Sequence, residues 1–128
     1  MNALQAFLLV IAVASGLNPV LTPGVTRNLT PVQVCGTKWG LDHRFITLKM
    51  KQDVFKAYGI PWAQHTRYEV DHRIPRELGG ADNVMNLWPE LWPDARQKDH
   101  EENRLHRAVC AGMMTLVDAQ QMILKWGR

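Results

Sequence analysis

The sequence predicts an α+β fold, a small and mainly helical domain organised around one β-hairpin and the helix that follows it. Two observations carry this. An apolar stretch ending in Asp71-His72 is followed by Gly79-Gly80, a polar turn and Asn86-Leu87-Trp88, which reads as a strand, a turn and a returning strand. Beyond it, Pro93 and Asp94 open a charged segment with helical character that runs to Cys110 or Ala111 and stops before Gly112. At 128 residues, with 46% hydrophobic and 21% charged residues, the chain is one domain able to bury a core, and neither a disordered nor a repeat protein.

Taken in order, residues 1–21 are apolar, with an unbroken run from Ala6 to Ala14 and Ala12-Val13-Ala14 placed before Ser15 like a cleavage site. The expectation is a signal peptide or membrane anchor, hence an exported protein, periplasmic or secreted, or one attached to a membrane through residues 1–21. Two features oppose it: the first five residues lack Lys and Arg, and the run is short for a span of about 20 residues, so a cytosolic apolar helix is the remaining reading. The domain proper is residues 22–128, with its motif core at 67–111. Residues 17–30, with Pro19, Pro23 and Gly24, read as an extended linker.

Thr30-Pro31 marks a short helix through Cys35, stopped by Gly36, after which Trp39 and Phe45 are expected on the core. Thr47 opens a stronger helix whose Leu48, Met50, Val54, Phe55 and Tyr58 form an apolar face, ended by Gly59 and Pro61. Lys49, Lys51 and Lys56 lie off that face, as a solvated basic side in the commoner reading and as phosphate contacts in the other. Strands follow at about Arg67 to Asp71 and Met85 to Trp88. Thr115-Leu116-Val117-Asp118 then caps a last helix to about Trp126, with Leu116, Ala119, Ile123 and Trp126 inward.

Two cysteines, Cys35 and Cys110, stand far apart without a Cys-x-x-Cys pair, which excludes a zinc knuckle. They form either a disulfide, if the chain is exported, or two buried thiols.

Asp71-His72-Arg73-Ile74-Pro75, Gly79-Gly80 and Asn86-Leu87, in this order and spacing, resemble the HNH endonuclease motif. The wider wording, from Tyr58-Gly59-Ile60 through Glu69-Val70-Asp71-His72 and Asn86-Leu87-Trp88-Pro89 to Lys98-Asp99, Glu102-Asn103, Leu105-His106 and Val109-Cys110, is similar to small, often exported bacterial HNH-like proteins. The resemblance implies a ββα-metal unit and hydrolysis of phosphodiester bonds in DNA, RNA being a second substrate. It implies His72 as general base, oriented by Asn86, and Asp71 as ligand of one divalent metal ion. A hard carboxylate suits Mg²⁺ or Mn²⁺, and a histidine ligand would admit Zn²⁺ or Ni²⁺.

The chain departs from the commonest HNH pattern at the third motif residue, a metal ligand nine positions after the middle Asn: here that position is Ala95, while Lys98 keeps its place. Asp99, Asn103 and His106 lie further along the same helix and are the candidate replacement ligands. The structural alternative is that they cap the hairpin by hydrogen bonds.

A formal charge of +3 suits a polyanionic partner, and Arg73, Arg76, Arg96, Lys98 and Arg104 surround the motif as candidate nucleic-acid contacts. His43 and His65 are expected on the surface. No base-reading module is evident, so weak sequence preference is expected. Two other classes compete with the nuclease: a catalytically inactive HNH scaffold that binds nucleic acid, and a small anchored envelope protein whose basic face meets anionic lipid.

Overall fold

The computed structural model describes residues 16–127, so the expected signal peptide or anchor lies, in its first fifteen residues, outside the described residues. The architecture is α+β. In chain order come α1 (Pro31–Gly36), α2 (Leu48–Ala57), β1 (Tyr68–His72), β2 (Leu87–Leu91), α3 (Trp92–Cys110) and α4 (Leu116–Ile123), with 3₁₀ turns at Trp62–Arg67, Arg76–Leu78 and Val84–Asn86. Threonine side chains start three of the helices. Thr30 accepts from Gln33 N, with Gln33 bonding back to complete a capping box; Thr47 accepts from Met50 N and Thr115 from Asp118 N. Among the described residues no helix is long and apolar enough to cross a membrane.

β1 and β2 form a two-stranded antiparallel sheet in which Glu69 faces Glu90, Val70 faces Pro89, Asp71 faces Trp88 and His72 faces Leu87. Because strand side chains alternate, Glu69 and Asp71 lie on one face and Val70 and His72 on the other. Val70 and Leu87 join Val54 and Phe55 of α2, and Tyr58 and Ile60 just beyond it, in one core cluster. Asp71 meets Lys98 of α3. A second cluster binds α1, the hairpin loop, α3 and α4 through Val34, Ile74, Leu78, Leu105, Val109 and Ile123. Consecutive residues of the motif thus answer to different parts of the fold.

Several expectations are corrected. Residues 17–30 are packed and not a free linker: Thr22 is fully buried, donates to Leu87 O at 3.0 Å and shares a hydrogen bond with the Tyr58 hydroxyl at 2.6 Å, and Thr26 bridges Gly80. Phe45 is 69% exposed, against its expected place in the core, because its backbone N–H and not its ring makes the inward contact. Trp39 is half-buried, with the guanidinium groups of Arg27 and Arg76 over its ring. The second strand begins at Leu87 and not Met85, since the Asn83 side chain accepts from Met85 N and caps a 3₁₀ turn there.

Cys35 and Cys110 form a disulfide across a sequence separation of 75, joining α1 to the end of α3. Closing a loop of this length removes unfolded-state entropy worth about 4 kcal/mol by the chain-entropy argument. We predict that the Cys35→Ser, Cys110→Ser double variant unfolds at clearly lower urea concentration than the oxidised parent. Equal midpoints at equal slope would show that the bridge contributes nothing to stability.

Candidate functional site

The loop between the strands is shaped by one buried amide. Asn86 is fully buried; its Oδ1 accepts from Ile74 N at 3.0 Å and Val25 N at 3.3 Å, and its Nδ2 donates to Ile74 O and Ala81 O, each at 3.0 Å. Its own carbonyl accepts from Arg73 N at 2.7 Å. Gly80 lies inside this loop, where a Cβ would stand 1.7 Å from Ile74 O, so no side chain fits. Asn86 therefore fixes backbone. The role of orienting His72, which the resemblance implied for it, falls in this geometry to another residue.

That residue is Asp82. His72 is 8% exposed, and its Nε2 lies 2.8 Å from Asp82 Oδ1. Asp82 is itself held by Phe45 N at 2.8 Å and Arg76 Nε at 3.0 Å. Burial alone would raise its pKa, but the Phe45 amide, His72 and Arg76 outweigh it and hold the carboxyl below its ordinary range. An ionised carboxylate only accepts, so Nε2 carries the proton and Nδ1 the lone pair. Burial also lowers the His72 pKa, against the opposing Asp82 and Asp71, which keeps the ring neutral near pH 7. Asp82 was missed in the sequence; its only signal is an acid in the polar turn after Gly80.

On the other face of β1 stands Lys98, 1% exposed. Its Nζ lies 2.8 Å from Asp71 Oδ2, 2.7 Å from Glu102 Oε2 and 2.7 Å from the His72 carbonyl oxygen. Burial opposes its charge, but Asp71 and Glu102 more than compensate and push its pKa upward. Glu102 is itself raised, by burial first and with Asp71 adding, so two carboxyls share one ammonium. Glu69 is pushed up to about 7 by burial, then by Asp71 and Asp99. Its cross-strand partner Glu90, 2% exposed, is pushed up to about 8 by burial and Asp71, although Trp126 Nε1 donates to it at 3.2 Å.

A cleft of about 340 Å³ runs past this edge of the hairpin, and Arg44, Glu69, Asp71, His72, Asp99 and Asn103 line it. The structure thus brings Asp71, His72, Asp99 and Asn103 to one cleft. His106 is elsewhere, with Nε2 3.4 Å from Val34 O and 3.7 Å from Cys110 Sγ beside the disulfide. Three of the candidate nucleic-acid contacts are internal. Arg73 is 3% exposed and donates to Thr22 O and Leu124 O; Arg76 pairs with Asp82 and Asp42 and donates to His43 O; Lys98 is engaged as described. Arg96 and Arg104 are exposed on α3, Arg104 bonded to Glu101. Arg44, not singled out in the sequence, is exposed and lines the cleft.

The donors expected for a divalent ion do not fit one as they stand. Asp71 is engaged by Lys98, the Ala95 methyl is 1% exposed at the expected ligand position, and among the described residues no group of three or more His, Cys, Asp or Glu is arranged to hold a metal ion.

The geometry yields two predictions about stability. Asn86→Ala leaves the Ile74 and Ala81 backbone groups unpaired, at about 1–3 kcal/mol for each buried group, and should lower the unfolding midpoint sharply; a midpoint like the parent's would show that the amide does not hold the loop. Glu69, Glu90 and Glu102 bind protons more tightly folded than unfolded, so their stability contribution is present below the unfolded pKa of 4.5 and is lost as pH rises through about 7 for Glu69 and about 8 for Glu90 and Glu102. The lowered His72 has the opposite sign, its contribution being lost as pH falls below 6.5, so the window from pH 6.5 upward isolates the acids. Melting temperature should fall across pH 6.5–8.5, by at most about 1.4 kcal/mol of stability per unit for each group, and Glu90→Gln should lessen that fall. Identical slopes in parent and variant would remove Glu90 from the titration. In comparisons with known proteins, no family model, no curated protein and no solved structure matches this chain.

Proposed function

We propose that this protein is an endonuclease of HNH type that hydrolyses phosphodiester bonds of nucleic acid, DNA first, with low sequence preference. The observation that carries the reading is the His72–Asp82 pair: a neutral imidazole of fixed tautomer at a cleft that an exposed arginine also lines. In the proposed reaction His72 Nδ1 takes a proton from water as the water oxygen attacks phosphorus, and Asp82 stabilises the imidazolium that forms. Arg44 offers charge-assisted hydrogen bonds to the nonbridging oxygens, and the departing 3′ oxygen is protonated by solvent. The order strand, strand, helix supports the ββα unit of the resemblance, and the motif residues Asp71, His72, Gly80 and Asn86 fall within it. The Cys35–Cys110 disulfide supports an oxidising compartment and so an exported protein.

A second reading, a nucleic-acid-binding scaffold without turnover, is favoured by one observation: the acid that the resemblance makes a metal ligand is neutralised internally by Lys98.

Nicking of supercoiled plasmid by the purified, oxidised protein tests the two. His72→Ala should lower the rate about 10² to 10⁴-fold, the usual contribution of a general base, and Asp82→Asn should lower it less, since an amide can accept the same N–H without its charge. A His72→Ala variant that cuts at the parental rate would remove the base. Salt-sensitive retention of DNA with no cleavage under any condition would establish the second reading instead.

A further inference from the structure

We infer that the ammonium of Lys98 is the resident cation of this site, standing between Asp71 and Glu102 in place of a divalent ion, and that it also positions His72. The inference concerns the site of the proposed nuclease and rests on that reading only for the site's purpose. An ammonium taken out of water is costly unless it is paired and hydrogen-bonded. Lys98 is paired with two carboxylates and bonded to two acceptors: Nζ donates to Glu102 Oε2 and His72 O, each at 2.7 Å, and makes an ion pair with Asp71 Oδ2 at 2.8 Å.

The surroundings agree with a built cation site that is already filled. Ala95, one turn before Lys98 on α3 and buried, offers no donor. Asp99 and Asn103 lie on the exposed wall of the cleft. A divalent ion brought to Asp71 would sit close to a fixed positive charge in a poorly solvated site, where repulsion is strong. The hydrogen bond to the His72 carbonyl gives the ammonium a second role, because it fixes the end of β1 from which the imidazole projects to Asp82. Lys98 and Asp71 are thus positioning residues for His72.

The test reads metal binding in the full, oxidised chain with Mn²⁺ as the probe. In the wild type, Mn²⁺ titrated to millimolar concentration should leave the amide resonances of Asp71 and His72 no more broadened than that of Asp118, on a surface remote from the cleft. Lys98→Met removes the ammonium while keeping an unbranched side chain, and should bind Mn²⁺ about 10 to 100-fold more tightly than the wild type, the range over which neighbouring groups tune a metal site. If Lys98→Met does not fold, the wild-type titration decides alone. Selective broadening at Asp71 and His72 that Asp71→Asn abolishes would overturn the inference, and so would a folded Lys98→Met with no gain in affinity. Both readouts are independent of turnover, so a chain that cleaves nothing still decides the role of Lys98. Cleavage that requires Mg²⁺ held at Asp71 would overturn the inference and leave the nuclease reading standing.

Discussion

The buried amide of Asn86 is the constraint on which the rest of the site depends. It satisfies both backbone groups of Ile74 and reaches Ala81 and Val25, so two points of the hairpin loop and the distant amino-terminal segment are pinned to one side chain. The turn between Ala81 and Asn86 then has a fixed position, and Asp82 on it comes within 2.8 Å of His72 Nε2. A loop left to solvent would place that carboxylate over a range of positions. Pinned, it selects one tautomer and one ring orientation, which is what a general base requires before any question of pKa arises.

The opposite face of the hairpin poses an electrostatic problem. Glu69, Asp71 and Glu90 crowd it, with Glu102 approaching from α3, and one ammonium is available in their midst. Asp71 and Glu102 share that ammonium, yet Glu102 is itself pushed upward by burial, and Glu69 and Glu90 hold their protons to about 7 and 8. Protonation is the cheaper outcome when like charges are buried without enough counter-charge. The same shortage gives Lys98 its fixed place, 1% exposed between two carboxylates and the His72 carbonyl.

Around this centre the fold is tied by contacts that bring its ends inward. Thr22 closes on Tyr58 and Leu87, Arg73 joins the amino-terminal segment to Leu124 just past α4, and the disulfide joins α1 to α3. Arg73 and Arg76 sit within the hairpin loop, yet each directs its guanidinium to carbonyls and carboxylates of the interior. A basic residue near a motif in sequence is therefore no guide to its exposure, since a loop that turns back on itself can bury a guanidinium as readily as display it.

The sequence by itself determined what is local. Thr30, Thr47 and Thr115 set the starts of three helices through caps closed within three residues, and Gly79-Gly80 with Asn86-Leu87 marked the hairpin and the residues at its tip. It also placed Asp71 and His72, through the HNH resemblance, and Asp99 and Asn103, through one stripe of the following helix, as candidates for one site. Tertiary structure decided what is long-range: that Asp82 and not Asn86 bonds His72, that Lys98 turns inward to Asp71, that His106 lies by the disulfide, and that Phe45 is exposed while Thr22 is buried. The reason is physical. Caps and periods are satisfied by neighbours a few residues away, whereas the partner of a buried polar group is whichever complementary group the packing of distant segments delivers, and no spacing in the chain records that choice.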